Sequence, residues 1–252
     1  MAGVDSMHLT LAEPRYLKES ISIISDLVNE ATFKVTPDAV ELVAMDPANV
    51  AMVIFKLLST TFSEYQTKGV TELAINLTNL KMILRRVKPD DVLTLELQDN
   101  KLVVMLKGKT TRTFSLPIIE LDEKDQRIPE LSFSTTVRTN ANHFNEAIED
   151  AEIAAESVQF LSTPERFTVL AEGDMSKAKV DMEQNNDTNI SVKGDHAKSK
   201  YSIEYLKKMI AASKLADNVE INFSKDYPLR LDYKVVDKLL LSFILAPRVE
   251  NE

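Results

Sequence analysis

At 252 residues, with 44% hydrophobic and 27% charged side chains, the chain has ample apolar material for a folded core and is neither disordered nor fibrous in composition. Cysteine is absent, which excludes disulfides, thiolate nucleophiles and cysteine-based metal sites. The formal net charge of −9 argues against nucleic acid as a partner unless positive charge is segregated, because a phosphate-binding surface needs Lys and Arg to displace condensed counterions.

The start, MAGVDSMHLT, lacks the basic and apolar regions of a secretory leader, and no apolar run approaches the roughly 18 residues of a membrane helix. An intracellular protein is expected. A helical pattern opens at Pro14 and runs to about Asn29, with Leu17, Ile21, Ile24, Leu27 and Val28 on one stripe. Two β-rich runs follow, Thr32 to Val35 and Val40 to Met45, joined by the turn-forming Thr36-Pro37-Asp38. A second helix and a strand lie in INLTNLKMILRRVKPDDVLTLEL.

The series then recurs. A helical pattern from Asn142 to Ala155 carries Phe144, Ala147, Ile148 and Ala151, and Thr163-Pro164-Glu165 again separates two strand-like runs. YSIEYLKKMIAASKLADNVEINF supplies the second helix and strand, with Tyr205, Leu206, Met209 and Ile210 expected in the core. Pro37 and Pro164 are 127 residues apart, as are Val92 and Val219. One offset shared by a hairpin and a helix–strand junction reads as a duplicated domain. The expected class is therefore α+β, with two similar domains at 1–118 and 133–252. Residues 119–132 form an extended linker whose aliphatic side chains, Ile128 among them, should dock on the body of the protein.

Positive charge is concentrated on the helices. Lys81, Arg85 and Lys88 fall on the face of the second helix opposite Leu80, Ile83 and Leu84, with Arg86 near the edge. Lys207 and Lys214 share an outer face in the second half, with Lys208 beside them, and the first helix adds Arg15 and Lys18. A solvated face explains any one basic helix, but three in an acidic protein indicate a surface meant for phosphates. No helix-turn-helix, zinc-finger or glycine-rich phosphate-loop spacing is present, and Trp is absent. Sequence-independent attraction to a phosphate backbone is what remains.

Chemistry is hard to find. His8, His143 and His196 join no metal-ligand spacing, so neither metal nor cofactor is expected. The acidic pairs Asp90-Asp91, Asp122-Glu123 and Glu149-Asp150 would serve a metal-dependent nuclease, but each also fits a turn, a linker or a polar helix face. Asp46, in Met45-Asp46-Pro47, suits a structural turn better than catalysis.

The segments LVNEATFKVTPDAVELVAMDPANVAMV, INLTNLKMILRRVKPDDVLTL, IELDEKDQRIPELSF and ILAPRVE, in this order and spacing, resemble the proliferating cell nuclear antigen family of archaea and eukaryotes. The resemblance spans about residues 9 to 250. It implies a DNA sliding clamp without enzymatic activity, a ring of three two-domain subunits with helices lining a channel and antiparallel sheets outside. Arg15, Lys18, Lys81, Arg85, Arg86, Lys207, Lys208 and Lys214 would then face duplex DNA. The resemblance implies a pocket for partner peptides at Met45, Val50, Ile128, Pro129, Pro228, Ala246 and Pro247. DNA polymerase, flap endonuclease, DNA ligase and a clamp loader would use it, in the archaeal cytoplasm or the eukaryotic nucleus. It also implies a subunit seam joining strand Thr110 to Leu116, with Arg112 and Phe114, to strand Lys177 to Met182 of a neighbour, with Lys179 and Asp181. Glu146, Glu149 and Asp150 depart from the basic residues usual on that helix, which leaves one subunit of a heterotrimeric clamp as an alternative.

Overall fold

A computed structural model describes residues 7–121, 126–194 and 196–248. Two compact units divide the chain. One comprises Met1–Met45, Val53–Ile128 and Val235–Leu240; the other comprises Asp46–Met52, Pro129–Lys234 and Leu241–Glu252.

The first unit contains β1 (His8–Leu11), α1 (Arg15–Ile24), β2 (Glu30–Val35), β3 (Ala39–Met45) and most of β4 (Ala51–Leu58). It continues with β5 (Glu64–Gln66), β6 (Thr71–Asn76), α2 (Leu77–Leu84), β7 (Val92–Gln98), β8 (Lys101–Lys107) and β9 (Thr111–Pro117). One antiparallel sheet runs β5-β1-β7-β8-β9, and a second set runs β6-β2-β3-β4. Threonine shapes the β2–β3 hairpin: the Thr36 hydroxyl accepts from the backbone N–H groups of Asp38 and Ala39 at 3.3 and 3.1 Å. Leu9, Leu17, Phe33, Leu73, Leu80 and Leu95, from six different elements, line one small apolar cavity, so the core lies where the helices meet both sets of strands.

α1 ends at Ile24, earlier than its hydrophobic stripe, because Asp26 and Leu27 donate to the carbonyls of Ile23 and Ile24 and tighten the chain into turns. Leu27 and Val28 remain buried all the same. α2 is shorter than its pattern too, with Arg85 as its cap and Val87 beyond its end.

The second unit repeats the layout with β10 (Thr135–Asn140), α3 (Ala141–Glu152), β11 (Ser157–Thr163), β12 (Arg166–Glu172) and β13 (Lys177–Glu183). β14 (Asn189–Val192), β15 (Ala197–Ser202), α4 (Ile203–Ile210), β16 (Asn218–Phe223), β17 (Leu229–Val235) and β18 (Leu239–Leu245) follow. Its strands run β14-β10-β16-β17-β18 and β15-β11-β12-β13. Thr163 shapes its hairpin as Thr36 does, accepting from Arg166 at 3.1 Å. An aromatic cluster fills the core, with Phe160 against Phe144, Phe167, Tyr201 and Phe223 at ring separations of 5.3 to 5.9 Å. β3 and β12 stand 127 residues apart at both ends, and the strand orders correspond element for element.

Candidate nucleic-acid and partner surfaces

The helices hold the candidate basic residues in unequal states. Arg15 and Lys18 lie on the polar face of α1, with Arg15 beside the Tyr16 ring at 5.9 Å. Arg85 and Arg86 are exposed just past α2. Lys81 is not on an open face: its side chain is 14% exposed, and its ammonium donates to the Asp26 carboxylate at 2.6 Å and to the Ser22 carbonyl at 3.2 Å. The pattern that places Lys81 outside counts only its own helix, and α1 packs beside it. In the second unit Lys207 pairs with Glu152 at 2.6 Å, and Lys208 lies 3.7 Å from Glu204 and over the Tyr205 ring. Lys214 is exposed in the 3-10 turn after α4.

A second cluster surrounds Asp46. This buried carboxylate accepts from the backbone N–H groups of Ala48, Val50 and Ala51 and from the Tyr205 hydroxyl, all within 2.7 to 3.2 Å. Burial pushes its pKa up, but these donors outweigh that and hold it below the ordinary carboxylate value. The same bond to Asp46 is the main reason the Tyr205 phenol is pushed up to about 12. Tyr205 is therefore half-buried and hydrogen-bonded, not a core side chain as its helical spacing suggests. The resulting loop, with Asn49 at φ 57°, accepts the C-terminal segment, since Ala246 N–H donates to Val50 C=O at 2.9 Å. Arg248 N–H then donates to Lys200 C=O at 2.7 Å, and Asp226 N–H to Lys198 C=O at 3.3 Å, so both segments cover the outer edge of β15.

Of the candidate pocket residues, Val50, Pro129, Pro228, Ala246 and Pro247 fall in the second unit, Met45 and Ile128 in the first. Val50, Ala246 and Pro247 are brought together by the tail, Pro129 is exposed, and Pro228 is half-buried ahead of β17. Met45 is half-buried and Ile128 is 44% exposed. The linker begins docked, because Ile119 N–H donates to Ala74 C=O on β6 at 2.9 Å. Asp122 and Glu123 lie outside the described residues.

The two candidate seam strands each end a sheet and share one alternation of exposure. Thr110 is exposed and Phe114 half-exposed. Arg112 pairs with the buried Asp91 and donates to the Arg86 carbonyl at 2.8 Å, which fixes the basic segment after α2 against β9. Asp91 also accepts from Lys88 N–H at 2.6 Å, the main reason its pKa is lowered. On β13, Lys177 pairs with Glu172 and Lys179 with Asp181. Glu146 and Asp150 of α3, with His143, Val180 and Met182, line a groove of about 340 Å³ beside that strand. Among the described residues no group of three His, Cys, Asp or Glu is placed to hold a metal ion.

A duplicated α+β unit with antiparallel sheets and two helices per copy is the DNA-clamp fold. The N-terminal and C-terminal domain descriptions of proliferating cell nuclear antigen match residues 7–126 and 127–248. A DNA polymerase sliding clamp of Nanoarchaeum equitans is 34% identical over 96% of this chain and 99% of its own length. Another, of Pyrococcus abyssi, is 34% identical over 92% and 94%. The crystal structure of PCNA from Thermococcus kodakaraensis superposes with a TM-score of 0.90 at 29% identity, covering 96% of this chain and all of that one. That from Entamoeba histolytica, at 21% identity, shares the fold with a TM-score of 0.91 over 98% of this chain and all of its own. The chain belongs to the proliferating cell nuclear antigen family.

Proposed function

We propose that this chain is a DNA polymerase sliding clamp, a non-catalytic subunit of a three-membered ring that encircles duplex DNA and tethers polymerase to it. Membership of the family over both halves carries the reading. Segregation of Arg15 and Lys18 on α1, Arg85 and Arg86 just past α2 and Lys214 in the 3-10 turn after α4, in a chain with net charge −9, supports a channel that attracts phosphates without reading bases. Lys207 and Lys208, each near a carboxylate, contribute less. The domain limits 1–118 and 133–252, the linker 119–132, and the seam through Thr110, Arg112, Phe114, Lys177, Lys179 and Asp181 belong to the same proposal.

Partner peptides dock at Met45, Val50, Ile128, Pro129, Pro228, Ala246 and Pro247, where an aromatic or aliphatic anchor finds apolar surface beside a loop that Asp46 holds rigid. Flap endonuclease, DNA ligase and the clamp loader are further users of that pocket. The acidic face of α3 keeps a heterotrimeric assembly as the second reading. Primer extension on a primed circle tests the function: adding the chain to a clamp-dependent polymerase should lengthen the products, and unchanged lengths at saturating clamp would refute it.

A further inference from the structure

The internal duplication separates contacts that the fold requires from those that serve one copy alone. A required contact recurs, as the Thr36 and Thr163 turns do. The bond from Tyr205 to Asp46 does not. At the 127-residue offset the place of Asp46 is held by Gly173, where a Cβ would lie 2.2 Å from the Ala154 carbonyl oxygen, which leaves no room for a side chain. That loop is closed by other means: Gly173 N–H donates to Ser176 C=O at 2.9 Å, and the Ser176 hydroxyl donates to Ala154 C=O at 3.2 Å. Tyr205 is the third residue of α4, and the third residue of α2 is the exposed Asn79, whose backbone N–H serves the Asn76 cap.

The unmatched bond lies where it can order a surface. The Tyr205 hydroxyl donates to Asp46 Oδ2 at 2.7 Å, and Asp46 Oδ1 accepts from the N–H groups of Val50 and Ala51 at 2.7 Å each. Val50 C=O in turn accepts from Ala246 N–H at 2.9 Å. One line of bonds therefore runs from α4 through Asp46 to Val50 and Ala246, two of the residues proposed to meet partner peptides, and all of it lies in the second unit.

The helical end of this line is firm. Lys207 of α4 pairs with Glu152 of α3 at 2.6 Å, and the Lys208 ammonium stands 5.4 Å from the centre of the Tyr205 ring. The other end is a connection between β3 and β4, with Asn49 at φ 57° and Val50 half-buried. A rigid aromatic arm with a donor at its tip ties that connection to the scaffold.

We infer that Tyr205 is a positioning residue of the partner-peptide surface, acting through Asp46 to hold Val50 and the tail in the geometry that a peptide meets. The inference rests on the proposed docking at that surface. A loop ordered before binding spares the complex the cost of ordering it, so the hydroxyl contributes to peptide affinity as well as to stability.

Tyr205→Phe keeps the ring and removes the donor. Titration with a fluorescent peptide from the tail of a clamp-dependent polymerase should show affinity reduced roughly three- to tenfold, as expected when a few side chains must be ordered on binding. In an Asp46→Ala background the same substitution should cost nothing further, because its partner is gone. By NMR, the Asp46 carboxyl of Tyr205→Phe should titrate higher than in wild type, since the phenol is one of the donors that hold it down. Thr139→Val removes the 2.8 Å bond to the Thr188 hydroxyl elsewhere in the same unit, so it reports loss of stability alone and should bind peptide as wild type does. Wild-type affinity in Tyr205→Phe, or equal weakening in Thr139→Val, overturns the inference and leaves the docking surface standing. A wild-type protein that binds no such peptide overturns both.

Discussion

Asp46 fixes loop 46–51 by accepting four hydrogen bonds, three of them from the backbone. Asp46→Asn keeps the shape but removes the charge and one of its acceptor oxygens, so it should cost on the order of 1–3 kcal/mol in urea unfolding at neutral pH. The folded-state pKa is depressed, so this stabilisation is present above the unfolded value of about 4 and is lost as pH falls through the folded one. The difference between wild type and variant should shrink on acidification; a constant difference from pH 7 to 3 would show that the charge contributes nothing. Lys81 gives a second expectation. Because it is tied to Asp26 and Ser22, Lys81→Ala should lower stability by about 1 kcal/mol while reducing the salt dependence of DNA retention less than Arg85→Ala does. Equal effects on DNA would place Lys81 in the channel. Neither role is legible in the sequence: a helical wheel counts one helix, whereas the Asp26 partner comes from the end of another, and Tyr205 has the spacing of a core residue.

At the scale of elements, the hairpins are legible because their turns are local: a Thr-Pro-acidic triplet between β-rich runs builds the same side-chain-to-backbone turn at Thr36 and Thr163. Helix ends are less so, since the turns that shorten α1 depend on Asp26 and Leu27 bonding back to Ile23 and Ile24. Least legible is the exchange of residues 46–52 and 235–240 between units, which follows from continuous strands that carry the chain from one to the other. The linker supports one prediction. Ile128 is 44% exposed, so Ile128→Asp should leave fold and assembly intact while weakening a partner-tail peptide at least roughly tenfold, as charging a hydrophobic anchor site commonly does. Fluorescence titration with sizing checks both halves, and equal affinity would make residues 119–132 a tether only.

For the whole molecule, two copies of one fold per chain leave sheet edges to manage. β5 and β14 are only three and four residues long. β6 and β15 are met by linker and tail through the bonds to Ala74 and Lys200, and β9 and β13 remain. Under the proposed seam those two pair between copies, and the mass in solution should then be three times the 28.3 kDa chain. The channel of such a ring holds DNA by topology more than by affinity. Retention on circular and linear duplex measures that difference most directly. Protein loaded on a nicked plasmid should co-elute with it in salt high enough to abolish phosphate contacts, and should be released when a single restriction cut linearises the circle. Retention unchanged by the cut would contradict a clamp that encircles and slides on DNA.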